Sequence, residues 1–108
     1  MSTDTSVKLI FEYPFDDHQA FEAESRGCLD HVCVEIRGAR YPVSFYDPGR
    51  LRQDLEEMTK HGQPFIAELG MIVVPAVTLE NMYNAVRMLN KVGFFAGLVP
   101  LPALAEGS

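Results

Sequence analysis

The chain has 108 residues, which is the length of one domain. Hydrophobic residues make up 47% of it and charged residues 22%, a balance that excludes a disordered chain. Acidic residues outnumber basic ones by 15 to 9, and the resulting net charge of −6 disfavours nucleic acid and anionic membranes as partners. We therefore expect a single domain over residues 1–108, in which residues 1–6 and 100–108 are tails that are either docked or loose.

The first predicted elements are a strand and a short helix. Residues 7–13 have the β-branched and aromatic content of a strand. Asp16 and Asp17 can cap a helix that runs to about Arg26. Phe21 is the main large apolar residue of this helix, so we expect it to anchor the helix to the core.

A hairpin follows in the predicted order. Residues 31–37 alternate between apolar and polar side chains, which is the period of a half-buried strand. The predicted inward residues are Val32, Val34 and Ile36. Residues 41–46 return as the partner strand, and Pro42 predicts an edge position because proline cannot donate to a neighbouring strand.

Two longer helices carry the clearest local signals. Asp47 and Pro48 suit the cap and first position of a helix that ends at Gly62, and Thr78 caps another that stops at Gly93. Apolar residues recur at helical spacing in both. The predicted inward residues are Leu51, Leu55 and Met58 in the first helix, and Met82, Ala85, Val86 and Leu89 in the second.

The remaining apolar segments predict strands at residues 65–69, 71–77 and 94–99. Residues 41–99 then have the βαββαβ order of ferredoxin-like folds, with an N-terminal strand extension, and residues 7–69 have the same order if the first helix forms. The predicted class is α+β, with one largely antiparallel sheet and two or three helices packed on one face. This order is shared by unrelated activities and does not specify a function.

The densest cluster of metal-ligand residue types is formed by Cys28, Asp30, His31 and Cys33. Structural zinc sites usually take their ligands from two closely spaced pairs of Cys or His residues, and this sequence has no second pair. The sequence favours two reduced structural cysteines, with no metal site and no cofactor.

The acidic residues are concentrated near the N-terminus, where residues 1–30 carry a net charge of −5. Such a patch speeds association with an oppositely charged protein. The predicted partner-binding residues are Asp16, Asp17, Glu22 and Glu24. An exposed edge at Pro42 and the apolar residues 94–104 favour self-association into a homodimer.

We find no motif that specifies a reaction and no secretory signal. The sequence favours a small acidic, cytoplasmic protein-binding or regulatory domain without catalytic activity of its own. The alternative is a small-molecule-binding protein or small enzyme with a pocket between sheet and helices. The candidate pocket residues are Glu12, Tyr13, His31, Tyr41 and Tyr46.

Overall fold

The computed structural model describes residues 7–102 and contains one mixed, four-stranded sheet with three α-helices. The α+β class is therefore confirmed. In chain order the elements are β1 (Lys8–Phe11), α1 (Asp17–Arg26), β2 (Cys28–Ile36), β3 (Ala39–Tyr46), α2 (Pro48–Lys60), β4 (Met71–Val73), α3 (Leu79–Lys91) and a 3₁₀ helix (Phe94–Gly97).

The strands lie in the sheet in sequence order, β1-β2-β3-β4. The first two pairings are antiparallel, and β3 pairs with β4 in parallel because α2 carries the chain back between them. The ferredoxin-like order is not confirmed for residues 41–99; the element order βαββαβ occurs instead from β1 to β4, with the strands in a different spatial order. Residues 65–69 form no strand, the segment predicted as a strand at 94–99 begins as the 3₁₀ helix, and β1 and β2 are antiparallel neighbours rather than separated parallel strands.

One face of the sheet carries the hydrophobic core, and α1 and α3 cover it. Phe45 of β3 is fully buried there, as are Met82 and Val86 of α3. The full core set is Leu9, Ala23, Val32, Val34, Ile36, Val43, Phe45, Ile72, Val74, Val77, Met82, Val86 and Phe95.

Helix α2 differs from the other two helices because none of its residues is buried. Its charged side chains at Arg50 and Asp54 lie close enough to Cys28 and Tyr46 to affect their titration. Those two residues pair with each other in the sheet and alternate away from the core face. The expectation that all helices share one face is therefore wrong for α2.

The anchor of α1 also differs from the prediction. Phe21 is 67% exposed, and Ala23 is the residue that α1 buries. A small side chain at the contact lets the helix backbone approach the sheet closely, and this orientation turns the ring of Phe21 outward.

Pro42 does not mark an edge strand, since β3 lies between β2 and β4. The parallel ladder with β4 begins only at Ser44, whose amide donates to Gly70 O at 3.0 Å. The nitrogen of Pro42, two residues earlier, faces the same side but lies before the ladder starts. On the same side of β3, two residues before Pro42, the amide of Leu101 donates to Arg40 O at 2.8 Å. Proline is tolerated because it occupies the gap between these two partners.

The helix caps are confirmed. The Asp16, Asp47 and Thr78 side chains accept hydrogen bonds from Gln19 N, Arg50 N and Asn81 N, at 2.9, 2.7 and 3.2 Å. Within residues 7–102, no helix is both long and apolar enough to cross a membrane.

Candidate functional site

Helix α1 presents an acidic surface with an aromatic ring at its centre. Its orientation is set by Ala23 on the buried side and by Gly27, which ends the helix in the left-handed conformation (φ 74°). Residues three and four positions apart are neighbours on a helix, so Asp17 and Glu24 flank Phe21. We call Asp16, Asp17, Phe21 and Glu24 the α1 surface; all four side chains are exposed.

The fourth predicted partner-binding acid, Glu22, has a different environment. Its carboxylate lies 3.9 Å from Arg26 Nε and 4.0 Å from His18 Nε2, and the residue is half-buried. Because Arg26 offsets its charge on the same helix, Glu22 adds less to the field that a partner meets than Asp17 or Glu24.

A β-bulge in β2 lies a few residues after the end of this helix. The register of β2 with β3 shifts between Leu29 and Val32, and His31 takes a positive φ of 60°. Bulges re-aim side chains, and here His31 Nε2 lies 3.8 Å from the carboxylate of its exposed neighbour Asp30. The alternation of residues 31–37 gave no signal of it, because the bulge ends at His31 and the regular alternation begins with Val32.

The bulge borders a pocket of about 270 Å³ whose lining includes Glu12, Tyr13 and His31. Two further lining residues, Phe11 and Phe15, stack with ring centroids 4.5 Å apart. The structure thus brings three of the five candidate pocket residues together. Sequence reasoning missed the phenylalanines, which read only as strand and loop hydrophobics.

The other two candidates lie elsewhere. Tyr41 packs its ring against Phe95, with 5.6 Å between centroids. The hydroxyl of Tyr46 donates to a carboxylate oxygen of Glu68 at 3.3 Å, and the Ser44 hydroxyl donates to the same group at 3.1 Å. Burial and the charge of Glu68 raise the pKa of Tyr46 to about 12, so its hydroxyl stays protonated and ties residue 68 to β3.

Both cysteines are free thiols. Burial raises the pKa of Cys28 above its ordinary value, although Arg50 and Arg26 act in the opposite direction. A protonated thiol is a poor nucleophile, so the environment of Cys28 does not favour covalent catalysis. Across the part of the chain that the structure describes, no three His, Cys, Asp or Glu side chains are grouped to hold a metal ion.

No family model matches this chain, and no curated protein or solved structure matches it. The class that fold and surface define is an α+β protein with a single mixed sheet and an acidic, aromatic helical surface.

Proposed function

We propose that this protein is a non-catalytic binding or regulatory domain that takes up a basic protein partner on the α1 surface. The observation that carries the proposal is the exposure of Phe21, a large aromatic side chain, between the carboxylates of Asp17 and Glu24. The proposal includes the cytoplasm as the place of action, which suits the two free thiols.

The arrangement has the features of a binding hot spot. Aromatic anchors supply much of the energy of protein interfaces when they enter a pocket on the partner. Charges around such an anchor steer the encounter and select partners of opposite sign. Phe21 supplies the anchor, and Asp16, Asp17 and Glu24 supply a field that attracts lysine and arginine side chains.

The pocket beside the bulge lies on a different side of α1 from Phe21, because Gln19 and Arg26, which line it, share the helix face of the buried Ala23. Gln19 of α1 lines it together with Glu12, Arg26 and Asp30, so the pocket carries two carboxylates and one guanidinium. The exposed ring of Tyr13 lies at the same pocket.

A second candidate function is small-molecule binding, and the pocket itself favours it. It holds about 270 Å³, slightly below the usual range for ligand pockets, and combines aromatic rings with the polar groups of Glu12 and His31. The positive φ of His31 is a strained backbone feature of the kind that clusters at functional sites. A native mass spectrum of the freshly purified full chain distinguishes the two, since a bound small molecule adds a discrete mass.

The test of the partner proposal compares two exposed phenylalanines. Full-length wild type, Phe21→Ala and Phe65→Ala are used to recover partners from the source cell. Phe65 is 58% exposed and lies outside α1, so it is a matched control. We expect Phe21→Ala to lose a basic partner that wild type and Phe65→Ala both recover. Equal recovery by all three would contradict the proposal.

A further inference from the structure

We propose that the pocket beside the bulge binds a small organic ammonium ion, one whose nitrogen carries methyl or other alkyl groups. This inference rests on the second candidate function, small-molecule binding, and names the chemical class of the ligand. It does not involve the α1 surface, because the pocket lies on the side of α1 that carries Ala23 rather than Phe21.

The pocket forms where β1 and β2 leave their antiparallel ladder. The last paired residues are Phe11 and Val32. Beyond them Glu12 and Tyr13 form a bend on one side, while the bulge at His31 takes β2 out of register with β3 on the other. Helix α1 closes the space between the bend and the bulge, so the pocket has walls from three segments of the chain.

The charges that line the pocket favour a cation. Glu12 and Asp30 each contribute an exposed carboxylate. Within residues 7–102 neither forms an ion pair with a lysine or arginine, and Asp30 has only the imidazole of His31 nearby, at 3.8 Å. Arg26 also lines the pocket, but its Nε lies 3.9 Å from the carboxylate of Glu22, which offsets its charge. The lining therefore keeps a surplus of negative charge.

Aromatic rings supply the other part of the site. Phe11, Tyr13 and Phe15 all line the pocket, and the two phenylalanines stack with their ring centroids 4.5 Å apart. Tyr13 is 64% exposed, so its ring is available to a ligand. The faces of aromatic rings attract organic cations, and groups of such rings are the usual means of binding quaternary ammonium ions.

The size and chemistry of the pocket restrict the ligand further. A volume of about 270 Å³ lies below the usual range for drug-sized ligands, so the ligand is compact. A metal ion or an unsubstituted ammonium group is strongly hydrated and gains little from contact with rings. An alkylated ammonium ion instead has an apolar surface that packs on the rings, while its charge is attracted by Glu12 and Asp30.

The test is a titration of the full chain with choline chloride, followed by the backbone amide signals in nuclear magnetic resonance spectra. The matched probe is dimethylbutanol, the neutral analogue of choline in which a carbon atom replaces the nitrogen. Sodium chloride keeps the ionic strength constant. We expect choline to shift the signals of Glu12, Tyr13 and His31 in a saturable manner, and the neutral alcohol to bind at least tenfold more weakly.

Two variants with the same change of charge locate the site. Glu12→Gln and Glu24→Gln each remove one exposed carboxylate, but only Glu12 lines the pocket. We expect the dissociation constant for choline to rise about fivefold in Glu12→Gln and to stay within twofold of wild type in Glu24→Gln. Tyr13→Leu tests the aromatic contribution and should also weaken binding about fivefold. Circular dichroism of each variant confirms that it is folded.

The outcomes separate this inference from the function on which it rests. No saturable shift with choline, equal binding of the neutral alcohol, or equal weakening by Glu12→Gln and Glu24→Gln would overturn it. If the native mass spectrum then shows a retained molecule that is neutral or anionic, small-molecule binding stands and only the ammonium class is wrong. A chain that retains no molecule and does not respond to choline would contradict both.

Discussion

Helices α2 and α3 are each 13 residues long and each begin with a side-chain cap, yet they are attached to the sheet in different ways. Helix α3 buries Met82 and Val86 in the core. Helix α2 buries no residue, and polar contacts hold its first turn, where Asp47 N donates to Gly27 O at 2.8 Å and Arg50 Nη1 donates to Arg26 O at 3.2 Å. An amphipathic pattern therefore predicts that a helix forms, but not how deeply it is buried.

The largest expected effect separates the two helices directly. Met82 is fully buried in α3, so Met82→Ala should lower the free energy of unfolding by about 3 kcal/mol. Leu55 of α2 is 39% exposed, and Leu55→Ala should change it by no more than about 0.5 kcal/mol. Urea unfolding of both variants measures the difference. Equal losses would mean that α2 contributes to the core as much as α3 does.

The next effect addresses the polar attachment of α2. A Cβ at Gly27 would lie 2.7 Å from the Asp47 carboxylate oxygens, whereas a Cβ at Gly38 would meet no atom within 4 Å. Both glycines have a positive φ, so alanine is strained at either position, by about 1 kcal/mol. Gly27→Ala should lose more than about 2 kcal/mol, because it also pushes the cap of α2 away.

Gly38→Ala is the control for that experiment, since it shares the backbone strain without the collision. If thermal or urea unfolding gives the same loss for both alanine variants, the contact between the end of α1 and the start of α2 does not stabilise the fold.

The smallest effect concerns the pH dependence of the hydrogen bond between Tyr46 of β3 and Glu68. The pKa of Tyr46 is raised from about 10 to about 12 by burial and by Glu68, so the folded state favours the protonated hydroxyl. Its contribution to stability is complete below pH 10 and is lost as the pH rises from 10 to 12. Tyr46→Phe should remove this loss and should also remove a tyrosine ionisation near pH 12 from the ultraviolet titration. An unchanged titration curve would contradict this account of Tyr46.

The features that sequence predicted well are local ones. The caps at Asp47 and Thr78 depend on side chains that reach only three residues along the chain, and both form as expected. The alternation of Val32, Val34 and Ile36 likewise places all three in the core, because the two faces of a strand follow from its period.

The features that sequence missed depend on distant parts of the chain. Pro42 lies on an interior strand because β4 pairs with β3, and proline is tolerated there because that pairing begins only at Ser44. No pattern near Pro42 shows how far β4 extends. Phe21 is exposed because α1 packs on the sheet through Ala23. Which face of the helix packs depends on the shape of the sheet, and the sequence of α1 alone does not show it. Residues 94–99 are an apolar run of the kind that periodicity cannot distinguish between helix and strand.

The candidate site follows the same division. The concentration of acidic residues in residues 1–30 is visible in the sequence. The predicted helix there also contains both Asp17 and Glu24, as the structure does. The pocket could not be predicted from the sequence, because Glu12, Tyr13 and His31 come together only through the pairing of β1 with β2 and the bulge at His31.

The most direct test of the central claim is the association rate of the full chain with the recovered basic partner at low salt. The variants are the pair Asp17→Lys with Glu24→Lys on the α1 surface, and the pair Glu56→Lys with Glu57→Lys on α2, which changes the net charge equally. We expect the α1 pair to slow association at least tenfold and the α2 pair to slow it far less. Equal slowing by both pairs would show that only net charge matters, which would contradict a binding surface on α1.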